Sequence, residues 1–543
     1  MLNHLCQVGV LEAREQAEQL GGSSSAETGG DSNVPECRLD RDDSYFLSDK
    51  PFELASRHLS DTEILTRVQN WMQEDKASRF LRVLNNPRSP LPEIVDALRR
   101  FQYGIPHKSV LRRSTLKTLR VSLTQRLLTE QIDFVRVAKE HMEISDFGEL
   151  AEKMILPAGS HGRLGGKSAG MLLAYRILKR AEKPGHPVGE VKLPNTWYLP
   201  SDGLLDFIGH NDLQDVIEQK FKDTDEVRQE YPDIVRLFKS SGFPSRMLNG
   251  LSVALDDFED VPLIIRSSSL LEDRLGTAFS GKYKSLFVAN QGTKAERLEA
   301  MADAIAEVYA STFGPDPIEY RRERGLLEFN EEMGILIQEV VGTRIGDYFL
   351  PAFAGVAFSN SEFRWSPRIR REDGLIRLVP GLGTRAVDRV GDDYPILLVP
   401  GQPSLRANVA IDEIVRYSPR WIDVINLKTG TLETRNLEEL IAEVGSEYPM
   451  LESVFSLLKE GMLQKAPPKV LLDPEKDELV ATFHGLSDNT TFVEQMRNIL
   501  ELLEDQLGTP VDVEFAHDGQ SFYLMQCRPE SRAGESAPAP IPK

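Results

Sequence analysis

From about Ser60 onward, apolar and polar positions recur at helical spacing. Ser60-Asp-Thr-Glu63 reads as a capping box, in which serine and glutamate side chains bond each other's backbone N–H, and it opens a helix through Val68 and Met72. Leu116, Leu119, Leu123, Leu127, Ile132 and Val135 predict a second, longer helix. Residues 45–150 are therefore expected to form an all-helical N-terminal region, a scaffold or docking surface without chemistry of its own. The Gly/Ser-rich run from Gly21 to Asn33 reads as a flexible linker, so residues 1–44 are expected to be a detachable tail and linker.

The pattern changes after Met154. Short apolar runs at Ile264-Ile265, Gly334 to Ile337 and Gly355 to Phe358 predict strands. Between them lie amphipathic helices, one marked by Leu298, Met301, Ile305 and Val308. Another is marked by Phe492, Met496, Ile499, Leu503 and Leu507 and closed by Gly508. Such a mixture over residues 151–530 predicts an α+β body of more than one lobe. Residues 531–543 are Pro/Ala-rich and read as a linker.

Composition narrows the classes. The chain of 543 residues has length for roughly two to four domains, and 41% hydrophobic residues can fill real cores. Lys+Arg 64 against Asp+Glu 84 gives a net charge of −20, which argues against nucleic acid as the main partner. Cys6, Cys37 and Cys527 are too scattered for a disulfide framework or a zinc site. The first residues lack the basic flank of a secretory leader, and no apolar run approaches the roughly 18 residues of a membrane helix. A cytoplasmic protein without a membrane partner is expected.

Five polar segments carry candidate chemistry. Gly162-Arg-Leu-Gly-Gly-Lys-Ser168 precedes a helical pattern, so backbone N–H groups, a helix N-terminus and Lys167 can meet an anion. Its spacing misses the P-loop, because His161 stands where that motif needs glycine. The apolar strand Val261 to Ile265 delivers Arg266, whose guanidinium can hold phosphate oxygens in pairs. Ser267, Ser268 and Ser269 follow with hydroxyls, and Phe279-Ser-Gly281 with Ser285 forms a small-residue turn able to close over a phosphate chain. Arg321 adds a cation. Gln338 and Glu339 interrupt the apolar run Ile335 to Val341, which can present backbone groups to an adenine edge in an apolar slot. Last, Val511 to Pro529 reads as a hairpin turning at Asp518-Gly519, with Glu514, Gln526 and Arg528 expected on one face. A carboxylate and an amide oxygen there suit Mg²⁺, which takes its remaining ligands from phosphates and water.

In this order the segments resemble the nucleotide-binding part of pyruvate phosphate dikinase and phosphoenolpyruvate synthase, shared by rifampicin phosphotransferase. The resemblance runs from about Ile155 to Pro529. It rests on Gly165-Gly166-Lys167, on Ile265-Arg266-Ser267-Ser268 with Glu272-Asp273 and Phe279-Ser-Gly281, and on Ala310 to Phe313 with Tyr320-Arg321. Val356-Ala-Phe358, Gly381-Leu-Gly383 and Gln526-Cys-Arg528-Pro529 complete it.

The family implies a two-lobed ATP-grasp fold with ATP and Mg²⁺ between the lobes. Lys167, Arg266 and Arg321 would hold phosphates, and Gly281 and Ser285 would line the phosphate turn. Gln338 and Glu339 to Val341 would line the adenine slot, Glu514 and Gln526 would hold the metal, and Arg528 would stabilise the phosphoryl group in flight. Catalysis would then fall to Arg528, Lys167 and Arg266. The chain departs from the family in that none of its nine histidines lies in a Thr-x-x-Ser-His-x-Ala-like segment, and Thr384 stands where glutamate is usual. The expected function is an ATP-dependent phosphotransferase module, a kinase or dikinase serving an acceptor histidine in another chain or in a missing C-terminal part. The alternative is a non-catalytic ATP-binding regulatory module.

Overall fold

The apolar run that ends in three serines is a strand, Leu263–Ser269, held between Met333–Glu339 and Ser285–Val288. It belongs to a computed structural model that describes residues 1–15, 49–103, 111–182, 188–269, 271, 281–328, 331–387, 393–466, 478–489 and 491–529. The expected linker Gly21 to Asn33, the acidic pair Glu272-Asp273, the Phe279-Ser280 pair and the tail 531–543 lie outside those residues. The chain divides into two compact units, Met1–Phe80 with Tyr103–Leu116, and Leu81–Gln102 with Lys117–Lys543.

In the first unit the capping box is present. Ser60 N–H donates to Glu63 Oε2 at 2.9 Å and Glu63 N–H to Ser60 Oγ at 3.4 Å, opening the helix Asp61–Leu84. The start of the chain is packed rather than loose: helix Leu2–Gln7 places Leu5 in a small core with Ala13, Leu54 and Ala55.

The single long helix expected over Leu116 to Val135 is broken in two. Arg113–Leu123 runs into a π-helical turn, Thr124–Leu128, and a new helix begins at Ile132. The five-residue step from Leu127 to Ile132 was the sign. Thr129 is extended and donates its N–H to Thr124 O, and Ile132 is 81% exposed, off the apolar stripe.

Among the described residues the strands form four sheets. The smaller of the two that matter here runs Thr196–Leu199, Met333–Glu339, Leu263–Ser269, Ser285–Val288, all antiparallel. Its core contains an aromatic group, with Phe207 lying 5.3 Å from Phe238 and 4.7 Å from Phe243, centroid to centroid. The larger sheet runs Val191–Lys192, Phe522–Pro529, Val511–His517, Phe353–Phe358, Leu375–Pro380, Ile396–Leu398. Helix Phe492–Leu507, capped by left-handed Gly508, packs on it through Phe492 against Phe353 and Phe515. Helices and mostly antiparallel sheets side by side make this an α+β protein. No helix among the described residues is long and apolar enough to cross a membrane.

Candidate nucleotide site

The terminal hairpin shows how local sequence aims distant chemistry. Asp518 Oδ1 accepts from Gln520 N–H and Ser521 N–H, both at 2.7 Å, and Gly519 takes φ +106, so the turn closes where expected. Pairing counted from that turn runs His517 with Phe522, Ala516 with Tyr523 and Phe515 with Leu524. The next partner of Glu514 should be Met525. A bulge between Glu514 and Phe515 slips the register by one and puts Gln526 opposite Glu514 instead. Plain alternation would have sent that pair to opposite faces; the bulge brings them together. It also leaves the Met525 carbonyl available to another group.

That group is Arg266. Its Nη1 donates to Met525 O at 3.3 Å, and its Nη2 donates to both Glu514 Oε2 at 2.6 Å and Gln526 Oε1 at 2.7 Å. So the middle of the strand Leu263–Ser269, rather than its end as the sequence suggested, meets the hairpin of the larger sheet. Burial pushes the Glu514 carboxyl up, but Arg266 and Arg528, with Lys167, outweigh it and hold the group below its ordinary range.

Between the sheets lies a cavity of about 390 Å³. Lys167, Arg266 and Arg528 line it together with Glu514 and Gln526. Gly281 and Ser285 line it as well, Ser285 standing directly across from Arg266. Apolar wall is supplied by Ile264, Phe287, Val340, Val341 and Leu382. Thr384 is also on the wall, its hydroxyl given to Asp423. Three cations, two hard oxygens and an apolar slot suit a ligand with a phosphate chain and a flat base.

Lys167 stands in the first turn of helix Gly165–Ala181, where backbone N–H groups and the helix dipole favour an anion. Gly165 has φ +81, and a Cβ there would sit 1.9 Å from Ser268 O. Only glycine allows the helix to start so close to the strand.

The three serines do not face the cavity as free hydroxyls. All are fully buried; two brace the lysine turn, Ser267 Oγ accepting from Lys167 Nζ at 2.9 Å and Ser268 Oγ donating to Leu164 O at 2.7 Å, while Ser269 Oγ donates to Glu331.

Three expected residues lie away from the cavity wall. Arg321 is buried, donating to Thr312 O at 2.7 Å and pairing with Glu331 Oε2 at 2.8 Å. Glu331 in turn accepts from Ser269 and from Tyr283, a cavity residue, so Arg321 is linked to the wall through Glu331. Gln338 is fully buried with its amide donating to Thr196 Oγ1 at 3.1 Å. Glu339 accepts from Asn195 N–H at 2.8 Å, and burial pushes its carboxyl up.

Sequence reasoning missed Glu331 and Asp512. Asp512 faces Arg528 across the hairpin and binds its Nε with both oxygens. The same-face spacing of 512 with 514 was the available signal.

Glu514 and Gln526 fit a hard divalent cation, because their oxygens converge on one point, now marked by Arg266 Nη2. Among the described residues no three acidic, histidine or cysteine side chains gather as a metal cluster. The remaining ligands of such an ion must come from elsewhere, as a phosphate chain would supply them.

The fold is that of an α+β protein, and comparison with known proteins places it in a family. The family model described as "Pyruvate phosphate dikinase, AMP/ATP-binding domain" matches residues 161–543, well over half of the chain. The chain belongs to that family and is an ATP-binding module of it. It is also 24% identical over 275 residues to a protein of Archaeoglobus fulgidus described as "Probable phosphoenolpyruvate synthase". That match covers 50% of this chain and 27% of the relative, so the chain spans about a quarter of the length of the curated relative it matches.

Proposed function

We propose that the chain binds Mg-ATP in this cavity and passes a phosphoryl group to an acceptor histidine outside these 543 residues, on another chain or on a further segment of its own. The observation that carries the reading is the meeting of Lys167, Arg266 and Arg528 with the Glu514 and Gln526 oxygens on one cavity.

In this reading Lys167 and Arg266 hold the phosphate chain, with Gly281 and Ser285 along the turn beside it. Val340 and Val341 receive the base, and the buried anchors of Gln338 and Glu339 fix that end of the strand. Arg321 acts from behind the wall through Glu331. Glu514 and Gln526 would hold Mg²⁺, which when bound supplies charge neutralisation across the phosphates. Arg528, oriented by Asp512, faces the group being transferred. The lobes on either side of the cavity would correspond to an ATP-grasp arrangement. The name of the archaeal relative supports a dikinase-type transfer.

Calorimetry with Mg-ATP tests the site. Arg266→Ala removes a charge-assisted phosphate contact, a loss of about 1.5–3 kcal/mol or roughly tenfold to a hundredfold in affinity. Wild-type affinity in that variant would refute the assignment.

A further inference from the structure

Two oxygens aimed at one point make a cation site, and in this protein a side chain fills it. Glu514 Oε2 at 2.6 Å and Gln526 Oε1 at 2.7 Å both accept from the same Arg266 Nη2. These are the oxygens assigned above to the metal. No metal cluster of three acidic, histidine or cysteine side chains exists among the described residues. The metal is thus offered one carboxylate and one amide oxygen by these side chains, and both are engaged. The ion pair is shielded, with the Arg266 side chain 10% exposed and Glu514 16% exposed, so neither charge is easily left alone. Arg266 also lines the phosphate cavity.

We infer that Arg266 is an exchangeable cation that occupies the metal's place until nucleotide arrives, so that metal and nucleotide bind as a coupled pair. The inference rests on the Mg-ATP reading above. A divalent ion and Nη2 cannot both stand between Glu514 and Gln526, and their like charges repel at that distance. The ion alone would displace the guanidinium into the cavity without a partner, which is costly in a shielded site. A phosphate chain changes the balance by offering Arg266 new anionic oxygens a short swing away. Glu514 then keeps a cation beside it throughout, first the guanidinium and then the metal. Because coupling is reciprocal, the nucleotide raises metal affinity by the same factor as the metal raises nucleotide affinity.

Manganese is the probe, with free Mn²⁺ followed by electron paramagnetic resonance, with and without a non-hydrolysable ATP analogue. The wild type should take up Mn²⁺ weakly alone and at least tenfold more tightly with the analogue. Arg266→Met and Arg266→Gln, both uncharged and shorter than arginine, should bind Mn²⁺ alone at least tenfold more tightly than the wild type. The second variant keeps hydrogen-bonding capacity in case the first does not fold, and thermal unfolding reports on both. If the wild type binds the analogue with Mn²⁺ yet holds Mn²⁺ alone as tightly as the variants do, Arg266 is no latch and the nucleotide reading survives. If the analogue does not bind the wild type even with Mn²⁺, the nucleotide reading falls and takes this inference with it.

Discussion

Asp512 grips Arg528 at its Nε, one carboxylate oxygen at 2.7 Å and the other at 2.5 Å. The two residues are cross-strand partners, and Asp512 is nearly buried while Arg528 faces the cavity. A charged partner of this kind fixes where the guanidinium stands. Asp512→Asn should therefore lower phosphoryl transfer by roughly tenfold to a hundredfold, the value of one charge-assisted bond, and leave ATP affinity within about threefold. Single-turnover transfer measured beside calorimetry separates those effects.

Glu514→Gln keeps the shape of the metal ligand and removes its charge. Nucleotide should still bind through Lys167 and Arg266, while transfer or residual hydrolysis falls by about two to three orders of magnitude. The assay is phosphate release with cell extract supplying an acceptor. A wild type without turnover, matched by its variant, would favour the regulatory reading over the enzyme.

The same residue predicts a pH dependence. The folded-state value of Glu514 lies below its ordinary 4.5, so the folded protein binds that proton less readily than the unfolded chain. Its contribution to stability is therefore full above the unfolded value and drains away as pH falls through the folded one. Urea unfolding of wild type and Glu514→Gln should show a constant gap above about pH 5 that narrows below 4.5. A gap unchanged down to pH 3 would contradict the ion pair.

Gly165→Ala should lower the unfolding free energy by about 2–4 kcal/mol, from left-handed strain plus overpacking against Ser268 O. Nucleotide affinity should fall with it, since the lysine turn must move. Gly209→Ala is the control, because nothing lies within 4 Å of a Cβ there. Thermal unfolding of the two variants side by side decides it.

What could be read from sequence was local. Asp518-Gly519 announced its turn, Gly508 its helix end and Ser60-Glu63 its cap, each through residues a few positions apart. Glu514 and Gln526 were expected on one face, yet only the bulge, invisible in the residue pattern, put them there. The serines after Arg266 looked like phosphate ligands because their hydroxyls were visible and their partners were not. Leu164 and Glu331 stand 104 and 62 residues away from the serines they receive. Arg321 and Gln338 show the same thing: burial by a distant segment decides where a polar side chain spends its bonds.

The helix that carries Lys167 is stitched to both sheets by bare backbone. At Gly165 it meets Ser268 O of the smaller sheet, and at Gly170 a Cβ would sit 2.3 Å from Cys527 O of the larger. Side chains can slide or re-pack, but two main chains in van der Waals contact give almost nowhere. This helix therefore works as the spine of a book. The gap between Lys167 and the Gln526–Arg528 edge is set by main chain on both sides, and its width does not depend on how side chains pack.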